Sequence, residues 1–347
     1  MRASVPYNPA QAGRKARPTG LEREYMFLRL MGLCVVVAVL AAPQSGAGES
    51  DAADLRLRIS SGEILRYNWN IDSTSQSSGR ELGKPFTLTT NTVFGMMLVL
   101  RGFPHRGEQT PVSLRLQDLS FIDRRSINED SKTELLLSKS KVKYTENGKV
   151  LMDSENDIGL ERLPEYQQHI KTIENGEMRV ALDAAGRQSD MQGESALVET
   201  FKNNGVQSIF PILAGKEVKP GDFWTDSLSM AQIGGFKLSR PATVRSKMTF
   251  ARWETKDGKR LALIEMVASW DKQDLKGEHP DGLLVEITRV DGTSTGTCLF
   301  DPSSGQFVEG SIAIKIKYRL DGERDGQSTG LDVNAKTSFS FAAKTDK

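Results

Sequence analysis

The sequence predicts a mainly β, antiparallel protein, and three observations carry that prediction. Apolar and polar residues alternate with period two in segment after segment, the pattern of a strand with one buried and one wet face. Turn dipeptides separate these segments. Helical periodicity is thin, so the strands follow one another without the crossover helices that a parallel, doubly wound sheet needs.

The elements follow in chain order. Leu55-Arg-Leu-Arg-Ile59 alternates, and Leu65-Arg-Tyr67-Asn-Trp69-Asn-Ile71 alternates again after Gly62. Leu114 and Leu116 lead to Leu119 and Phe121. Met178, Val180 and Leu182 follow Asn175-Gly176, read as a turn. Met248 and Phe250 precede Leu261 to Trp270, and Lys256-Asp-Gly258 between them predicts a hairpin. Ile312 to Leu320 is the clearest alternation, and Phe339 and Phe341 come last. Glu146-Asn-Gly148, Asp291-Gly292 and Asp321-Gly322 read as further turns. Two segments have helical character: Ala196 to Lys202, and Leu160 to Ile173, which Pro164 interrupts.

These elements group into two sheet-rich halves, residues 48–208 and 225–347, with 209–224 as a connecting segment. The expected architecture is a curved sheet, open half-barrel or sandwich-like, with few short helices. Each half opens on a glycine, an acid and aromatics: Gly62-Glu-Ile-Leu-Arg-Tyr-Asn-Trp69 and Gly221-Asp-Phe-Trp224. In the connecting segment Pro211 and Pro220 stiffen the chain, and Trp224 is expected to anchor the second half.

The N-terminus predicts export. Arg29 precedes thirteen uncharged residues, Leu30 to Ala42, and the small residues Ser45-Gly-Ala47 follow. This is a secretory signal over residues 1–47, with Met26 as the tidier start; the apolar run is short of the ~20 residues of a spanning helix. The expected location is the periplasm, the cell surface or the medium, with membrane contact only through the signal. Of two cysteines, Cys34 lies in that run, which leaves Cys298 without an internal partner.

Of 347 residues, 38% are hydrophobic and 26% charged, an ordinary globular composition. Formal net charge is +1, but residues 1–47 hold six Lys/Arg against two acids, so the body is slightly acidic. Such a body lacks the basic footprint that nucleic acid requires.

No catalytic constellation emerges. Gly292-Thr-Ser294-Thr-Gly296 matches a nucleophile elbow, but strand-like residues follow it and no histidine lies beyond His279. Ser138 to Lys141 and Ser269 to Lys272 match S-x-x-K in strand-like sequence, where positions i and i+3 face apart. His105, His169 and His279 stand singly. Asp321, Glu323, Asp325 and Asp332, with Gly326, approach the spacing of a calcium loop. Glu323 and Asp332 depart from that pattern, and strand-like flanks favour a polar hairpin tip. No cofactor is expected beyond a candidate calcium ion at these four residues; zinc would need ligands gathered from afar, and no nucleotide-binding motif occurs.

The opening Gly62-Glu-Ile-Leu-Arg-Tyr67 and Pro211-Ile-Leu-Ala-Gly-Lys216-Glu-Val218-Lys-Pro220-Gly221-Asp222-Phe-Trp224 resemble a family of uncharacterised secreted β-rich bacterial proteins. The resemblance spans roughly residues 55–343 and implies location and fold, with no activity or site residues. The expected function is that of an exported, non-catalytic envelope or surface protein binding an apolar ligand or a partner protein. The alternatives are a hydrolase of envelope polymers and a structural protein that pairs through its sheet edges. Met96, Met97, Met266 and the four tryptophans could line a concave surface, although such residues more commonly fill a core.

Overall fold

In a computed structural model, residues 51–81, 83–193, 210–233, 236–271, 274–279, 282–324 and 326–344 are described. The signal-like segment and the Ala196–Lys202 helix candidate lie outside them. The chain is mostly antiparallel β, with one short helix among the described residues. The first half contributes β1 (Ala53–Asp54), β2 (Ile64–Glu81), β3 (Lys84–Gly102), β4 (Thr110–Ile127), β5 (Ser131–Ser138), β6 (Val142–Glu146), β7 (Lys149–Asp153), helix α1 (Leu163–Asn175), β8 (Met178–Leu182) and β9 (Gln188–Gln192). The connecting segment carries β10 (Glu217–Val218) and the start of β11 (Phe223–Ile233), and after it come β12 (Phe236–Lys256), β13 (Lys259–Trp270), β14 (Leu275–Glu278), β15 (Leu284–Asp301), β16 (Gln306–Arg324) and β17 (Gln327–Ala343).

Fifteen strands form one sheet in the order β11-β12-β13-β15-β16-β17-β2-β3-β4-β5-β6-β7; β14 joins β12 and β15, and β8 carries β9 beside β4. Strands from before and after the connecting segment therefore share one sheet, with β17 paired to β2 from Gly330↔Arg80 to Ala343↔Tyr67. The sheet curves so that the β8–β9 branch approaches its β11 end. Arg187, between β8 and β9, reaches Asp226 of β11 at 3.2 Å.

Alternation decides which face is buried. Ile314, Ile316, Tyr318 and Leu320 of β16 are buried, while the lysines between them are exposed. In β4 the buried set shifts from Leu114 and Leu116 to Leu119 and Phe121. The cause is an irregularity opposite Gly95 and Met97, where Asp118 has a φ of 51°. A polar belt crosses the buried face halfway along the strands. Ser73 and Thr337 share a 2.9 Å hydrogen bond, Thr92 donates to Asp123 at 2.8 Å, and Arg125 pairs with that same carboxylate. Each partner satisfies a group whose isolated burial would be costly.

At one end of the sheet the core is aromatic. Tyr67, Phe210, Phe307 and Phe341 are buried there and Trp69 packs against them. The connecting segment supplies Phe210, which stacks on Phe307 and meets Tyr67, Trp69 and Phe341 edge-on or tilted. The segment thus packs across the β17–β2 seam. Met266 and Trp270 are buried in the core, and Met96, Trp224 and Trp253 pack against it. Cys298 is buried too, and burial pushes its thiol far above the ordinary range.

Several sequence expectations are corrected. Leu55 to Ile59 alternates in burial but lies outside the regular strands. Its amides donate to loop carbonyls instead: Leu55 to Lys216, Leu57 to Ala184 and Arg58 to Gly305. Asn175-Gly176 ends a helix and is no hairpin turn. Pro164 falls in the first turn of α1, where its missing N–H has no intrahelical partner to lose. Asp291-Gly292 and Asp321-Gly322 lie inside β15 and β16. A Cβ at Gly292 would sit 2.1 Å from Trp270 Cδ1, so this glycine admits an indole, not a turn. Asp257-Gly258, by contrast, has φ values of 50° and 75° and closes the β12–β13 hairpin as its sequence predicts.

Candidate functional site

A concavity of about 430 Å³ opens beside the β4–β8 pairing, where the loop between β3 and β4 meets the β8–β9 hairpin. The loop is shaped by its own backbone. Phe103 N–H donates to Pro111 O at 2.9 Å, Arg106 N–H donates to Gln109 O at 3.0 Å, and Gly107 supplies the left-handed turn between them, with φ 64°. His105 Nδ1 lies 3.1 Å from the Thr110 hydroxyl, and Gln109 Nε2 donates to Ser189 Oγ at 3.0 Å. The last bond ties the loop to β9.

The walls divide by chemistry. Pro104, Pro111 and Ala181 supply apolar surface. Pro111 and Ala181 are directly paired on β4 and β8 on the face that Arg179 shares, whereas the side chains of Val112 and Val180 turn into the core. His105, Arg106 and Arg179 supply cationic or polar groups, and Asp190 the one carboxylate among the lining residues. Asp190 is held at a φ of 50°. The Arg179 and Arg101 guanidiniums lie 5.7 and 5.9 Å from the Phe103 ring centroid. Arg179 also lies 3.5 Å from Glu177, which bonds Arg115. The Arg115 guanidinium holds the Glu177 carboxyl below its usual range against the opposing effect of partial burial. Apolar walls with a few converging polar groups are the common make-up of small-molecule sites, and about 430 Å³ lies within their range of roughly 300–1,000 Å³.

Of the lining residues, the sequence pattern picks out Val180 as a strand position and His105 as a solitary loop histidine, neither as part of a site. The signal present was the cluster Arg101-Gly-Phe-Pro-His-Arg106, which interleaves cations with an aromatic ring and a proline. Its partner, Arg179, is remote in the chain.

The other sequence candidates fall elsewhere. Asp321 and Asp332 come together on the β16–β17 hairpin, and Arg319 lies between them, 2.9 Å from one carboxylate and 3.0 Å from the other. Glu323 is on the same hairpin, opposite Ser328, and Asp325 lies outside the described residues. Among the described residues no group of three or more His, Cys, Asp or Glu could hold a metal ion. Ser294 is buried within β15, opposite Ala268 and Ile314, with strand on both sides of it. Ser138 and Lys141 close a turn, Lys141 N–H donating to Ser138 Oγ at 3.1 Å, and the lysine pairs with Glu155. Lys272 lies outside the described residues. The His279 ring packs 5.4 Å from Phe236; the side chain of His169, in α1, is not among those described. No described helix is long and apolar enough to cross a membrane.

No family model matches the chain, and no curated protein matches its sequence. Among solved structures, an outer membrane channel from Pseudomonas putida F1 aligns over 87% of this chain and 100% of its own, at 11% identity and a TM-score of 0.21. The β domain of the Bordetella autotransporter BrkA aligns over 80% and 98%, at 10% identity and a TM-score of 0.23. Likenesses at these scores carry no argument about this chain.

Proposed function

We propose that this protein is an exported, non-catalytic binding protein of the cell envelope, and that the concavity between the β3–β4 loop and the β8–β9 hairpin takes an apolar ligand. One observation carries the reading: apolar walls from paired strands converge with positioned polar groups in a concavity of ligand size. Export is supported by the charged start, uncharged run and small-residue exit of residues 1–47.

Mass spectrometry of protein purified from its native envelope, before and after organic extraction, tests the proposal. A stoichiometric small molecule is expected, lost on extraction and absent from Ala181→Trp, whose indole fills the concavity. A second reading has its own observation: among the described residues β11 pairs only with β12, and Phe223 on it is 61% exposed. That free edge suits strand pairing with another chain. A co-purifying protein with no small molecule would favour it.

A further inference from the structure

We infer that the ligand of this concavity is an amphiphile with an anionic head, held by Arg106 and Arg179, with its alkyl part on Pro104, Pro111 and Ala181. The inference rests on the concavity being a ligand site. Its first support is the charge balance of the lining: two guanidiniums and an imidazole face one carboxylate, Asp190, in a protein whose body is slightly acidic. A local cationic excess against the sign of the surrounding molecule favours an anion.

The second support is the posture of Arg179. Its guanidinium is held against the Phe103 ring at 5.7 Å and near Glu177 at 3.5 Å. A long side chain normally loses much rotamer freedom on engaging a ligand; one already stacked loses less. Glu177 does not neutralise it fully, because the shorter bonds of that carboxylate go to Arg115. Arg106 sits at the tip of the tight turn and forms no ion pair among the described residues. The two cations thus differ in kind, one restrained and one free to close on a ligand.

The third support is what the remaining wall offers. Two guanidiniums already lie over the Phe103 ring, so the apolar surface left is aliphatic. Aliphatic walls beside a cationic pair suit an alkyl chain carrying a carboxylate or a phosphate. These heads share charge and bidentate acceptor geometry, which guanidinium matches. A fatty acid or a phospholipid would both present them.

Calorimetric titration of the full exported chain, freed of bound material by organic extraction, separates the cases. The probes are dodecanoate, dodecyl phosphate, dodecanol and dodecyltrimethylammonium, each below its micelle-forming concentration. Both anions are expected to bind, with the alcohol and the ammonium at least tenfold weaker. Arg179→Gln and Arg106→Gln should each weaken the anions about tenfold or more, as expected for a lost hydrogen bond to a charged group. Lys276→Gln, at an exposed position on β14, should change nothing. Added salt should weaken the anions and spare the alcohol. The stronger of the two anions identifies the head. If Arg179→Gln does not fold, Arg106→Gln in the exposed turn still decides. Equal binding of alcohol and anions, unchanged by either arginine variant, overturns this inference and leaves the ligand site standing. Binding of none of the four, with no small molecule from the native protein, overturns both.

Discussion

Phe210 lies flat on Phe307, ring centroids 5.0 Å apart and planes 18° from parallel. One ring comes from the segment that links the two halves and the other from β16, so this stack fastens the linker to the sheet it crosses. Stacked aromatic pairs contribute about 0.5–1.5 kcal/mol beyond the area they bury. Phe210→Ala should cost about 3–5 kcal/mol, the usual range for a buried Phe truncated to Ala. Phe223→Ser, at an exposed site thirteen residues on, should cost less than about 0.5 kcal/mol. Urea unfolding of both variants checks the contrast; equal losses would mean that the stack does not hold the linker.

Trp224 gives a second prediction. Its Nε1–H donates to Ile212 O at 2.8 Å, tying β11 to the linker, while the ring is only half-buried. Trp224→Phe should cost about 1 kcal/mol for the lost hydrogen bond. Trp224→Ala should cost about 2–3 kcal/mol, with part of the ring's burial lost as well. Neither should alter binding in the concavity, whose lining does not include Trp224. A folded Trp224→Ala protein that had lost its ligand would contradict this.

Gly292 and Trp270 are coupled. A methyl group on Gly292 would enter the indole at 2.1 Å, so Gly292→Ala should cost about 1–3 kcal/mol by overpacking. In a Trp270→Leu background the same substitution should cost far less. A double-mutant cycle measures the difference, and strictly additive effects would refute the coupling.

Asp301 makes stability depend on acid. Burial raises its pKa, but the Ser303 hydroxyl, the Ser303 and Ser304 amides and the Lys259 ammonium outweigh that and hold the carboxyl at about 2. Because the folded value is depressed, the stabilisation is present above the unfolded value and lost as pH falls from about 4 through 2. Its size is about 2 kcal/mol, from roughly 1.4 kcal/mol per pKa unit. Asp301→Asn should destabilise at pH 7 and flatten the acid limb of a stability–pH curve; an unchanged acid limb would count against this role.

The hairpin of Asp321 and Asp332 gives the last prediction. Arg319 already sits on both carboxylates, so removing calcium with a chelator should leave Tm unchanged, whereas Arg319→Gln should lower it slightly. A calcium-dependent rise in Tm that Asp321→Ala abolishes would instead establish a metal site.

The sequence shows strand type and face well, because period two survives in segments such as Ile312 to Leu320. It shows partner choice poorly. Nothing in the pattern of Tyr67, Trp69 and Ile71 says that Phe339 and Phe341 lie beside them. Leu55 to Ile59 carries a strand's alternation because one side faces the core, yet its amides find loop carbonyls rather than a ladder. Asp291-Gly292 reads as a turn because the pair is common in turns, while here glycine serves a tryptophan on the neighbouring strand. The concavity was illegible for a related reason: Phe103 to Val112 and Arg179 to Gln192 come together only through the β4–β8 pairing.

The pairing of β17 with β2 has a consequence for how the chain is made. Arg80 and Gly330 face each other although some 250 residues separate them. During synthesis the aromatic edge of β2 stays open until β17 emerges, and contacts so distant in sequence are slow to form. An unpaired edge is a template for aggregation. A chain of this design therefore passes through an interval in which one edge of its first long strand is uncovered until β17 pairs with it.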